Sequence, residues 1–178
     1  MSLAVTLRLD AAAAGPVERI WHGLAEQLGV REVLDLGYHP HITLAVIEAA
    51  ALPAVVEEAV FAVADGVPPL PVNLAGFGIF PDPPPTVWLA PAVTSELLAL
   101  HERVTMALRP IPIRPHDLPR AWVPHVTLSQ SDRHPPARIL EIAMALWGGP
   151  IRGDTGRIEL VAFPPAVIRR SQALIAPD

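Results

Sequence analysis

The pentapeptide Pro-His-aliphatic-Thr-Leu occurs twice in this 178-residue chain, as Pro40-His41-Ile42-Thr43-Leu44 and as Pro124-His125-Val126-Thr127-Leu128. Its alternation is that of a strand, in which residues i and i+2 project to one side. Each copy therefore predicts an amphipathic strand with an imidazole and a hydroxyl on one face and two aliphatic side chains on the core face. One His-x-Thr alone would be an ordinary piece of strand, because three-residue motifs are weak signals. Two copies that agree at five positions, with histidines at 41 and 125 and so 84 residues apart, predict equivalent places in two similar halves. If those halves face each other, both His–Thr pairs line one cleft.

The rest of the chain alternates strand and helix patterns. Leu3, Val5, Leu7 and Leu9 alternate with Ala4, Thr6 and Arg8 as in a half-buried strand. Pro16 is expected to open a helix over 17–29, with Gly29 as its stop. A strand at 41–47 and a helix over 52–64 follow, then strands at 72–79 and 86–90 joined by the loop Pro81-Asp82-Pro83-Pro84-Pro85. Ser95 is expected to cap a helix running to Leu108, which Pro110, Pro112 and Pro115 prevent from continuing. A strand at 125–129, a helix over 137–147 ending at Gly148-Gly149-Pro150, and strands at 157–162 and 166–175 complete the pattern. Short connections between such elements predict an α+β fold with antiparallel sheets rather than a doubly wound parallel one. The expected organisation is one domain over 1–178, with duplicated halves of roughly 1–92 and 93–178.

Composition removes several classes of function. All thirteen basic residues are arginine, and the net charge is −5, which speaks against the broad cationic footprint that long duplex DNA requires. A nucleotide or an RNA terminus is an easier substrate for such a surface. Cysteine is absent, so thiolate nucleophiles and thiolate metal sites are excluded. The first residues lack a basic segment followed by an apolar one, and the longest apolar run, near 52–64, is interrupted by Glu57 and Glu58. A cytoplasmic protein without a membrane segment is expected, and no protein partner is indicated.

Two histidines suit phosphodiester cleavage. A near-neutral imidazole takes a proton from the attacking hydroxyl or water, and a protonated one gives a proton to the leaving oxygen. The threonine hydroxyls donate hydrogen bonds to the non-bridging phosphoryl oxygens. His41, Thr43, His125 and Thr127 are thus the candidate catalytic tetrad, and this division of labour calls for no metal. His39-Pro40-His41 lacks a third ligand at recognisable spacing. His22, His101, His116 and His134 fall in expected helices or proline-rich loops and are not assigned chemistry. Arg8, on the polar face of the first strand, is a candidate phosphate contact beside the reading of an ordinary ion-paired arginine. Trp88, on the face opposite Val87 and Leu89, is a candidate base-stacking residue beside a core-packing role.

These residues resemble a known family, the 2H phosphoesterases, which include the bacterial 2′-5′ RNA ligases and RNA 2′,3′-cyclic phosphodiesterases. The resemblance covers most of the chain. Besides the paired His-x-Thr, Gly76-Phe77-Gly78-Ile79-Phe80-Pro81 and Val87-Trp88-Leu89 look like the family's stretch between its motifs. It implies a bilobal α+β fold with two similar lobes, helices packed outside, a central cleft and no cofactor. It also places the tetrad at the family's catalytic positions. The expected activity is hydrolysis of a 2′,3′-cyclic phosphate to a 2′-phosphate on an RNA end or small nucleotide, with 2′-5′ ligation as related chemistry. A binding protein of the same fold, without turnover, is the alternative. One departure is the run Ser129, Gln130, Ser131 after the second motif, where RNA-acting members often carry a cation. The nearest cation here is Arg133, which favours a nucleotide-sized substrate.

Overall fold

The computed structural model describes residues 2–48, 53–109 and 111–175. In chain order the elements are β1 (Ser2–Leu9), α1 (Ala11–Leu28), α2 (Glu32–Asp35), β2 (His41–Ile47), α3 (Pro53–Ala64), β3 (Leu70–Phe80) and β4 (Thr86–Pro91), then α4 (Ser95–Ala107), β5 (Val126–Gln130), α5 (Pro136–Leu146), β6 (Ile151–Phe163) and β7 (Val167–Ala173). The fold is α+β. The described strands form one antiparallel seven-stranded sheet in the order β2-β1-β6-β3-β4-β5, with β7 also on β6.

β6 joins the two ends of this sheet. Its first residues, Ile151 to Thr155, pair with β3, and the remainder, from Thr155 to Phe163, pairs with β1. The motif strands β2 and β5 occupy opposite ends of the hydrogen-bonding order, yet their Cα atoms come within 8 Å of each other. The sheet therefore bends back on itself, and bending is what brings residues 41 and 125 together.

Local sequence explains most boundaries, and several differ from expectation. α1 begins at Ala11 and runs through Pro16. Asp10 caps it by accepting the Ala13 N–H at 2.9 Å, and four successive alanines favour the first turns strongly enough to carry the helix past one proline. Gly29 ends the helix at φ 66°, a left-handed value that glycine adopts without steric cost. The cap of α4 is Thr94 rather than Ser95, its hydroxyl accepting the Leu97 N–H at 3.2 Å. β3 begins at Leu70 and tolerates Pro71, because β4 pairs with β3 only from Leu74 onward and the missing N–H has no neighbour to serve. β6 begins at Ile151, six residues before the expected 157, and α5 one residue before its expected start. Leu52 and Pro110, at expected helix limits, lie outside the described residues.

The core lies between the helices and the aliphatic face of the sheet. Val17, Ile20, Trp21 and Leu24 of α1 are buried, as are Ile42 and Leu44 of β2 and Val126 and Leu128 of β5. Each such large apolar side chain contributes roughly 1.5–3 kcal/mol when fully buried. The outer edge of β2 is covered by the segment before β5. Ile113 bridges Ile47, the Arg114 N–H donates to Val46 O at 3.0 Å, and the Asp117 carboxylate accepts the Val46 N–H at 2.8 Å.

Candidate active site

In both motifs the aliphatic residues are buried while His41, Thr43, His125 and Thr127 remain part-exposed, as alternation requires. The two imidazoles are held alike. His41 Nδ1 lies 2.7 Å from His39 O, and His125 Nδ1 lies 2.8 Å from Val123 O. A carbonyl can only accept, so Nδ1 carries the proton in each ring and Nε2 is left free to exchange one. The intervening Pro40 and Pro124 fix the local φ that turns each carbonyl back toward the ring two residues on. That gives the first position of the pentapeptide a physical role.

Burial pulls the His41 pKa down to about 4, opposed by the His39 carbonyl and reinforced by the nearby His125. Burial also lowers that of His125, against the Val123 carbonyl and the Asp117 carboxylate. Both rings therefore favour the neutral form at pH 7.

Each motif is anchored by a tryptophan from the opposite part of the chain. The Trp21 indole, on α1, donates to Thr127 O at 2.9 Å, and the Trp122 indole, before β5, donates to Thr43 O at 2.9 Å. Both acceptors are backbone carbonyls of the motif threonines. Trp122 is itself stacked on His101, with ring centroids 3.8 Å apart and planes inclined by 4°. His101 Nε2 donates to Asp117 O at 2.8 Å, and Asp117 holds β2 through Val46. Sequence pattern alone assigned no chemistry to Trp21, Trp122, His101 or Asp117. Only their positions in space connect them to the motifs.

Strand register supplies the walls. On one side Arg8 is the cross-strand partner of His41, and Thr6 that of Thr43. Across β1, Arg157 stands opposite Arg8 and Glu159 opposite Thr6. Glu159 is 1% exposed; Tyr38 donates to its Oε2 at 2.7 Å and Ser171 to its Oε1 at 2.6 Å. The Tyr38 oxygen accepts from Thr6 at 2.7 Å, burial pushes the phenol pKa upward, and its ring lies 4.8 Å from that of His41. Tyr38 and Glu159 were not foreseen, and register against residues 6 and 8 is the signal that would have found Glu159.

On the other side Trp88 pairs across strands with Thr127. The Phe80 ring lies 4.9 Å from His125 and 5.0 Å from Trp88. A β-carbon at Gly78 would run into the Trp88 indole, so glycine there lets the indole lie flat across the strand. Arg133 is turned aside, its Nε 3.4 Å from Glu32. Among the described residues no three His, Asp or Glu side chains gather in a way that would hold a metal ion. No helix there is long and apolar enough to cross a membrane.

The family model for the 2′-5′ RNA ligase superfamily matches residues 9–163, a span that includes both motifs and runs from the last residue of β1 to the end of β6. The chain belongs to this superfamily. Solved structures with the superfamily's fold resemble it along nearly its whole length. TT0787 of Thermus thermophilus is 16% identical over 100% of both chains, with a TM-score of 0.70. A protein described as a phosphoesterase is 18% identical over 98% of both, with a TM-score of 0.67. E. coli LigT, solved with NADP+, is 19% identical over 97% of this chain and 96% of its own, with a TM-score of 0.61. No curated protein matches significantly. At these identities the likeness concerns the fold, and the family match places the chain in the superfamily of 2H phosphoesterases and 2′-5′ RNA ligase-like proteins.

Proposed function

We propose that this protein opens 2′,3′-cyclic phosphodiesters to 2′-phosphates by acid and base catalysis from His41 and His125. The phosphorus sits between the rings. One Nε2 takes a proton from water as its oxygen bonds to phosphorus. The other, which the negative charge of the bound phosphate favours in its protonated form, gives its proton to O3′ as the P–O3′ bond breaks, leaving a 2′-phosphate and a 3′-hydroxyl. Thr43 and Thr127 donate to the non-bridging oxygens, and Arg8, beside His41, neutralises phosphate charge. With the 5′-hydroxyl of a second strand in place of water, the same displacement yields a 2′-5′ linkage. The base of the nucleotide stacks on the Phe80–Trp88 side.

The observation that carries this reading is the pair of imidazoles in one tautomeric state, each beside a threonine, brought together from opposite ends of the sheet. A nucleotide-binding protein would need donors in the cleft but not two matched titratable rings. The test is hydrolysis of 2′,3′-cyclic AMP and of a short RNA ending in a 2′,3′-cyclic phosphate, with chelator present. Turnover to a 2′-phosphate that falls at least about a hundredfold in both His41→Ala and His125→Ala is expected, since each proton transfer contributes about 10²–10⁴. Binding without turnover in the wild type, or full activity in either variant, would overturn it.

A further inference from the structure

Resting on that reading, we propose that Arg8 and Arg157 form a second anion subsite, which takes the phosphate on the 5′-oxygen of the nucleoside bearing the cyclic phosphate. His41, Arg8 and Arg157 are successive partners across β2, β1 and β6, so their side chains share one sheet face in a continuous row. Neighbouring strands lie about 4.8 Å apart. Arg8 is then one strand from His41, near enough to reach both the reacting phosphate and a second one, and Arg157 is two strands away, far enough to meet only the second.

The two guanidiniums share a single carboxylate and share it loosely. Arg8 Nη1 and Arg157 Nε each stand 3.8 Å from Glu159 Oε1, beyond ordinary hydrogen-bond length. The Glu159 oxygens are already engaged by Tyr38 and Ser171, and Ser171 also accepts from Arg157 Nε at 2.6 Å. The carboxylate and hydroxyl thus orient the arginines without consuming their terminal N–H groups. The side chains are 33% and 41% exposed, while Glu159 is 1% exposed. Two cations over one buried anion leave a net positive strip beside the cleft of a chain whose overall charge is −5. A phosphate dianion fits such a strip bidentately.

A phosphate at this position has two sources. In an RNA ending in a cyclic phosphate it is the diester linking the preceding nucleotide; in a free nucleotide it is a 5′-monoester. The strip also supplies, from β1 and β6, the cation that the run Ser129-Gln130-Ser131 lacks after the second motif.

Calorimetric titration with adenosine 2′-monophosphate, adenosine 2′,5′-bisphosphate and the dinucleotide ApA ending in a 2′-phosphate tests this, alongside turnover of 2′,3′-cyclic AMP. The bisphosphate or the dinucleotide is expected to bind at least about tenfold more tightly than the monophosphate, a gain that shrinks with added salt. Arg157→Gln should bring the ratio close to one, and Arg157→Lys should keep most of it. A gain confined to the bisphosphate points to a free nucleotide, and an equal or larger gain for the dinucleotide to an RNA end. A wild-type ratio near one, or a ratio that survives Arg157→Gln, overturns the subsite while turnover of the cyclic mononucleotide leaves the catalytic reading intact. Absence of both turnover and monophosphate binding overturns the two together.

Discussion

Trp122→Phe isolates one hydrogen bond at the candidate active site. The substitution removes the indole donor to Thr43 O, which lies at 2.9 Å, but leaves an aromatic ring to stack on His101. A carbonyl that loses its partner costs about 1–3 kcal/mol when buried. This one is part-buried at the edge of β2, so a loss of about 1.5 kcal/mol is expected. For a chain of this size that lowers the melting temperature by about 3–6 °C. The larger effect falls on catalysis. Thr43 Oγ1 sits on the residue whose carbonyl is released, and a displacement near 1 Å in a reacting geometry costs about a hundredfold. We expect kcat on 2′,3′-cyclic AMP to fall by about 10–100-fold with KM nearly unchanged. Trp147→Phe is the matched control, because the Trp147 indole is buried without a hydrogen-bond partner and the same change removes no bond there. A Trp122→Phe protein with wild-type kcat, or one no less stable than Trp147→Phe, would refute the anchoring role.

Two further predictions concern the walls and charge of the cleft. His41 should titrate near pH 4 in a free-protein NMR experiment, against about 6.5 in an unfolded chain. Because the folded state binds the proton less well, stability is unaffected by this residue above about pH 6.5 and declines as pH falls from there toward about 4. Urea unfolding at pH 7.5 and pH 5 should therefore show a smaller pH dependence in His41→Asn than in the wild type, and an equal dependence would exclude the shift. Gly78→Ala places a methyl group in the Trp88 ring and should displace it from Phe80 and His125, which a change in Trp88 fluorescence and a several-fold rise in KM for cyclic nucleotide would register.

Where local pattern and tertiary context agree, the sequence was legible. β2 begins and ends at the residues expected from alternation, and both His-x-Thr pairs turn the same way as the pattern requires. Context overrode pattern at Pro16, which a capped run of alanine carried into the helix interior, and at the start of β6, where Gly153, Asp154 and Gly156 hide a strand whose pairing with β3 decides its length. The two His-x-Thr pairs could be read as equivalent because they repeat. Tyr38, Glu159, Trp122 and Asp117 have no counterpart in a repeat, and the hydrogen bonds that tie them to Thr6, to one another, to Thr43 and to Val46 span 32 to 121 residues, so no short window of sequence contains both ends of these bonds.

Because β2 and β5 terminate the hydrogen-bonding order, the cleft exists only after every intervening strand has paired and the sheet has bent. Contacts of this kind are long in sequence and come late when a chain folds. On the proposed function, catalytic competence is therefore the last property the chain acquires, and its return during refolding would mark completion of the sheet, with earlier, partly paired species unable to cut anything.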